Sequence, residues 1–167
     1  AAATTTAAST GTSIWPASTV PAVASVTEST AIEVGVKFRA TTNGFITGVR
    51  FYKGAQNTGT HLGRLWTSGG TLLQSATFAA ETASGWQQVT FAAPVAVTAG
   101  TTYVASYHTD TGNYAVDLDY FAAAGFGGPP LRALADGDGG ANGVYQYGTH
   151  AFPGLSFRSS NYWVDVV

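Results

Sequence analysis

The chain is 167 residues long, carries a net charge of −2 at pH 7 and contains no cysteine. This length is typical of one domain, and the lack of cysteine excludes disulfides, thiolate metal sites and cysteine nucleophiles. A slightly acidic chain is not a typical nucleic-acid-binding protein, and no run of about 18 apolar residues indicates a membrane span. We therefore expect a single domain with no nucleic-acid partner and no membrane span.

The first elements in chain order are a linker and two strands. Residues 1–12 are rich in Ala, Ser and Thr, a composition that favours a linker over a packed segment. The folded module is therefore expected over residues 13–167. In the runs EVGVKF and ITGVRFY, apolar residues alternate with polar or small ones, and this period of two is typical of half-buried strands.

Later runs continue the pattern to the last residues of the chain. They are LGRLWT, LLQSATF, WQQVTF, TYVASYHT, YAVDLDYF and NYWVDVV, all rich in residues that favour pleated sheets. Together the runs predict an all-β fold, an antiparallel β-sandwich of the jelly-roll type with about eight or nine strands. The Gly- and Pro-rich stretch 122–143 interrupts them. We expect a functional or irregular loop there, with a short helix over residues 131–134 as an alternative.

Cationic side chains are concentrated in one part of the chain. Residues 37–64 contain five of the seven Lys and Arg residues and none of the nine Asp and Glu residues. Flat rings stack on the apolar faces of sugars, and Arg, Asn and His form directional hydrogen bonds with hydroxyl groups. The alternative is that the cations lie on solvated strand faces and the aromatic rings belong to the core. Our candidate ligand-binding residues are Arg50, Tyr52, Lys53, Asn57, His61, Trp66 and Tyr107.

A divalent cation site is a second candidate. Glu33 opens an early strand, and Asp165 lies near the end of the last one. If these strands meet, the two carboxylates and nearby carbonyl groups offer the oxygen ligands that Ca²⁺ prefers, and Glu81 is a third candidate ligand. The alternative is that Glu33 and Asp165 are exposed or pair with Lys37 or Arg39. We expect no required cofactor, and a structural Ca²⁺ is the ion that this pattern allows.

Sequence patterns typical of catalysis are missing. The chain has no G-x-S-x-G nucleophile elbow and no HExxH zinc motif. A glycosidase-like pair of carboxylates stays open, because its spacing is set in three dimensions. A hydrolase or lyase would require at least two acids, or a His and a Tyr with an Arg, in one cleft. Tyr107, His108 and Arg50 are the candidate trio. We expect that the protein is not an enzyme.

Several strings go beyond generic strand patterns. They include RFYKG from Arg50, NTGTH from Asn57 to His61, and NYWVDV from Asn161 to Val166. In their order and spacing they resemble a bacterial family of domains of unknown function, over about residues 13–167. Such domains recur in large secreted proteins beside immunoglobulin-like, cadherin-like and carbohydrate-active domains. The resemblance implies an extracellular accessory module with a β-sandwich fold, and it implies no catalytic residue.

We expect a non-catalytic carbohydrate-binding accessory module of a larger secreted, extracellular protein. Such a module raises the local concentration of its covalently linked neighbouring domains at a polysaccharide without chemistry of its own. We also expect a monomer whose ligand is a polysaccharide or oligosaccharide. The alternative is a structural spacer, or a protein-interaction or adhesion module of a bacterial surface protein, in which Arg50, Tyr52 and Asn57 stabilise strands and turns.

Overall fold

A computed structural model describes residues 11–167 and folds them into two antiparallel sheets. The predicted all-β sandwich is confirmed. All but the last two residues of the expected linker lie outside the described residues. Within the described range, no helix has the length and apolar character that crossing a membrane requires.

The strands divide unequally between the two sheets. In chain order the strands are β1 (Ile32–Ala40), β2 (Gly44–Lys53), β3 (Leu62–Thr67), β4 (Leu72–Thr77), β5 (Gly85–Val97), β6 (Thr102–Thr109), β7 (Leu131–Ala133), β8 (Val144–Tyr147), β9 (Leu155–Ser156) and β10 (Val164–Val166). Seven form the larger sheet in the order β4-β3-β6-β1-β8-β9, with β7 paired separately to β1, and three form the smaller sheet in the order β10-β2-β5.

The core lies between the sheets and follows the predicted alternation. Val34 and Phe38 of β1 are fully buried, as is Phe51 of β2. The Phe51 ring stacks on Tyr107 of β6 with 4.0 Å between centroids. Burial of each such side chain stabilises the fold by about 1.5–3 kcal/mol. Because side chains alternate along a strand, the residues between these core positions lie on the outer faces of the sheets.

Two segments differ from the expectation. The run YAVDLDYF forms isolated bridges at Val116 and Asp117, since Asp119 adopts a left-handed φ of 59° that interrupts an extended run. Residues 131–134 do not form the alternative helix, because three of them pair with β1 as strand β7. The strands β7, β8 and β9 contain four residues or fewer, too few for alternation to reveal them.

Candidate functional site

The predicted ligand-binding residues do not share one surface. Arg50 lies on the outer side of the smaller sheet, opposite core residues of β2, and Trp66 packs in a separate cluster on the larger sheet. Tyr107 is fully buried in the core. The structure therefore does not bring these residues together as the open aromatic and cationic face that the sequence predicted. Tyr52 is half-buried, and the buried members of the set are Arg50, Lys53, Asn57, His61, Trp66 and Tyr107.

Arg50 forms a buried ion pair with Asp165. Its Nε and Nη2 donate to Asp165 Oδ2 over 2.9 and 2.7 Å, and its guanidinium lies 4.4 Å from the centre of the Trp86 ring. The backbone N–H groups of Ile14 and Trp15 also donate to this carboxylate, over 2.8 and 3.1 Å. Burial raises the pKa of Asp165, and Arg50 and the two N–H groups oppose that shift. The pair thus anchors the segment before β1 to the smaller sheet.

A second polar network joins the NTGTH segment to the core. His61 Nδ1 lies 2.8 Å from Glu81 Oε1, and His61 Nε2 lies 2.8 Å from Asn57 Oδ1. Lys53 approaches the other Glu81 oxygen to 2.9 Å, and Asn57 Nδ2 donates to the Tyr107 hydroxyl over 3.2 Å. Burial lowers the pKa of His61, and Glu81 opposes this shift. These side chains, including the expected third calcium ligand Glu81, hold the turn against the sheets.

The two expected calcium ligands are not brought together. Glu33 lies on the outer side of the larger sheet, where it accepts hydrogen bonds from Arg64 Nη1 and Ser106 Oγ, each over 2.5 Å. Asp165 pairs with Arg50 on the outer side of the smaller sheet. About 10 Å of core separates two packed sheets. Residues 11–167 contain no group of three or more His, Asp and Glu side chains that could hold a metal ion.

The carboxylate of Glu33 organises a third network beneath the loop between β8 and β9. The Trp66 indole N–H donates to Ser106 Oγ over 2.8 Å, and His108 Nδ1 lies 3.5 Å from Glu33 Oε2. The nearby Glu33 carboxylate raises the pKa of His108. Phe152 of the loop packs edge-on against Trp66 at 5.5 Å. Since Trp66 is covered in this way, its ring does not offer an open platform for a sugar.

An aromatic pocket lies outside the predicted site. We call it the tyrosine pocket; its volume is about 280 Å³. It is found near strands β8 and β9 at one end of the larger sheet, and the segment before β1 and long connections between strands complete its wall. Its lining combines five aromatic rings with one aliphatic side chain and one carboxylate: Glu28, Ile32, Tyr114, Tyr145, Tyr147, Phe157 and Tyr162.

Glu28 and the tyrosines form one connected arrangement. The Tyr114 hydroxyl donates to Glu28 Oε2 over 2.8 Å, and the Tyr147 hydroxyl donates to Glu28 Oε1. The rings meet edge to face, with 5.4 Å between the centroids of Tyr114 and Tyr162 and 6.5 Å between those of Tyr162 and Tyr145. Tyr145 and Tyr147 continue the series at 5.5 Å. Tertiary contacts therefore hold both the rings and the carboxylate in place.

Glu28 is the one charged side chain among the described residues that line the tyrosine pocket. Its hydrogen bond raises the pKa of Tyr147 to about 12, burial raises that of Tyr162 to about 12, and burial raises that of Tyr114. These phenols are therefore neutral near pH 7. Within residues 11–167, no Lys, Arg or His side chain forms an ion pair with Glu28.

The pocket opens to solvent on one side. Tyr147 is 43% exposed and Phe157 is 54% exposed. Tyr145 and Tyr147 lie two residues apart in NGVYQYG, which is the spacing of one strand face, but their strand β8 is too short for the alternation to stand out. No local pattern marks Glu28, which lies 119 residues from Tyr147 in the chain. Rings beside an acceptor-rich carboxylate can contact apolar C–H groups and polar hydrogens of one ligand.

A larger groove of about 620 Å³ lies beside β2 and β5. Its wall consists mainly of apolar and threonine side chains, among them Ile46, Val97 and Leu131, and Phe45 at its edge is 66% exposed. None of the described residues that line it is charged. It therefore offers fewer groups than the tyrosine pocket for orienting a polar ligand.

A known family matches most of the chain. The model of a domain of unknown function, DUF4082, matches residues 18–164. No curated protein matches the chain. The matched range contains every residue that lines the tyrosine pocket, and it confirms the resemblance to a family of domains of unknown function. Because the match covers well over half of the sequence, the chain belongs to the DUF4082 family.

Proposed function

We propose that the chain is a non-catalytic carbohydrate-binding module of a larger secreted bacterial protein and that the tyrosine pocket is its ligand site. The observation that supports this best is the open pocket itself, in which four tyrosines and one phenylalanine surround a carboxylate. Sugars have apolar C–H faces and hydroxyl edges, so they suit a wall that combines ring faces with hydrogen-bonding groups. Such a module acts by holding its covalently linked neighbours near a polysaccharide.

The size of the pocket limits how much of a glycan it can accept. Its volume of about 280 Å³ is close to the lower end, about 300 Å³, of common small-molecule sites. One sugar unit is therefore the expected occupant. Neighbouring units would lie against the exposed side chains of Phe157 and Leu155, which are 54% and 47% exposed. We expect weak binding by one module, strengthened when several modules or domains are linked.

Affinity electrophoresis in polysaccharide gels, followed by calorimetry with oligosaccharides, tests this proposal. We expect Tyr147→Ala and Phe157→Ala each to weaken binding by about 3- to 10-fold, because each removes one exposed ring. Phe45→Ala is the matched control, since it removes an exposed ring at the other cavity. Binding that depends on Phe45 and not on Tyr147 would place the site elsewhere.

A structural spacer or protein-interaction module is the second candidate. The ion pairs within the fold favour it, because Arg50, Lys53 and Arg64 each pair with a carboxylate of the same chain. Side chains paired in this way stabilise the module and are not available to a ligand. A screen of neutral, acidic and basic polysaccharides in which none binds would favour this candidate over the carbohydrate-binding proposal.

A further inference from the structure

The carboxylate of Glu28 has unused capacity to accept hydrogen bonds. An ionised carboxylate offers about four lone-pair sites, and the hydroxyl groups of Tyr114 and Tyr147 occupy one on each oxygen. Both phenols are hydrogen-bond donors to Glu28, so they orient its oxygens without neutralising its charge. The half-buried Glu28 therefore brings an uncompensated negative charge to the tyrosine pocket.

The surroundings of this charge favour a cationic ligand. The negative π faces of tyrosine rings attract cations, most strongly where water is partly excluded. The buried acids Glu33 and Asp165 have arginine partners within the chain. Glu28 has no cationic partner in residues 11–167. A ligand cation would supply the missing charge and could donate to the free lone pairs.

We infer that the tyrosine pocket selects sugars that carry a protonated amino group, whose ammonium N–H groups donate to Glu28 while the pyranose ring contacts the tyrosines. This inference rests on the proposed carbohydrate-binding function and narrows it to one ligand class. Uronic acids and sulfated sugars are repelled by Glu28, and no described residue of the pocket wall offers them a cation. An N-acetylated amino sugar lacks the charge and loses this selective contact.

Calorimetry on the full chain with three sets of oligosaccharides of equal length tests the inference. The probes are oligomers of glucosamine, of N-acetylglucosamine and of glucose. At about pH 6 we expect glucosamine oligomers to bind about tenfold or more tightly than the other two, because hydrogen bonds to charged groups are the stronger ones. The advantage should shrink as salt rises from about 0.05 to 0.5 M, since the pocket is open to solvent and salt weakens the attraction between the ammonium group and Glu28.

Glu28→Gln provides the matched substitution, because it keeps the shape of the side chain and removes its charge. We expect this variant to bind glucosamine oligomers about 10- to 100-fold more weakly and to bind glucose oligomers nearly as well as the wild-type chain. The control is Asp138→Asn, which removes one charge from an exposed loop residue outside the pocket. An equal loss of glucosamine binding in Asp138→Asn would indicate attraction by net charge and overturn the inference.

The outcomes separate this inference from the proposed function. If all three oligomers bind equally and Glu28→Gln changes nothing, the amino-sugar inference fails and carbohydrate binding stands. If no oligomer binds, both fail. If thermal unfolding shows that Glu28→Gln does not fold, the inference is tested on the wild-type chain instead, by the salt dependence of its preference for glucosamine oligomers. If the preference for glucosamine oligomers does not change with salt, the proposed ion pair between the ammonium group and Glu28 is contradicted.

Discussion

Replacing Arg50 with alanine leaves a buried carboxylate without its cation. Asp165 is fully buried and receives two hydrogen bonds from Arg50, over 2.9 and 2.7 Å. In the variant, the donors that remain to this carboxylate are the backbone N–H groups of Ile14, Trp15 and Val166, and none of them carries a charge. The contact of the guanidinium with the Trp86 ring is lost as well.

Removal of one partner from a buried ion pair costs about 3–5 kcal/mol of folding free energy. For a domain of this size, each kcal/mol lowers the unfolding midpoint Tm by about 2–4 °C. We therefore expect Arg50→Ala to lower Tm by about 6–20 °C. Arg132→Ala is the control, because Arg132 is exposed on β7 and such a surface substitution changes stability by about 0.5 kcal/mol or less.

Urea unfolding followed by tryptophan fluorescence measures this effect directly, since Trp15 and Trp86 both contact Arg50. We expect the midpoint to fall while the slope with urea stays constant, as for a pure change in stability. An Arg50→Ala chain that is as stable as Arg132→Ala and no longer binds oligosaccharide would contradict a structural role for Arg50. Arg50 would then be a ligand-binding residue, as the sequence first indicated.

Two further predictions concern titration and metal binding. Because Glu33 raises the pKa of His108 above its ordinary 6.5, this pair stabilises the fold fully below pH 6.5, and the effect is lost as pH rises through the folded-state pKa. His108→Gln should therefore cost more stability at about pH 5.5 than at pH 8.5, and urea unfolding that shows the reverse would contradict this. Since Glu33 and Asp165 pair with different arginines, EDTA should leave Tm unchanged, and a lower Tm in scanning calorimetry would instead indicate a bound ion.

The alternation of side chains made the strands and the core predictable. Val34, Phe38 and Phe51 are buried as the pattern indicated, because each strand's period of two directly reports which residues share a face. The short strands β7, β8 and β9 were not predictable in this way, since four residues or fewer carry little periodic signal.

The site was less predictable, because its contacts join distant parts of the chain. Alternation correctly predicted that Arg50 lies on the face of β2 opposite its core side chains. It does not predict which residues cover that outer face. The covering partner is Asp165, 115 residues away. The tyrosine pocket also depends on residues that are far apart in the sequence, since Glu28 and Tyr114 are separated by 86 residues. A local concentration of cations in the sequence thus reflected internal ion pairs rather than an exposed binding face.

An NMR titration of the ¹⁵N-labelled chain with glucosamine oligomers would locate the carbohydrate site, because it reports binding at every backbone amide of the molecule. We expect shifts of the backbone amides around Glu28, Tyr114, Tyr147 and Phe157, with little change from Arg50 to His61. Shifts concentrated between Arg50 and His61, or no shifts with any oligosaccharide, would contradict the claim that the tyrosine pocket is the carbohydrate site.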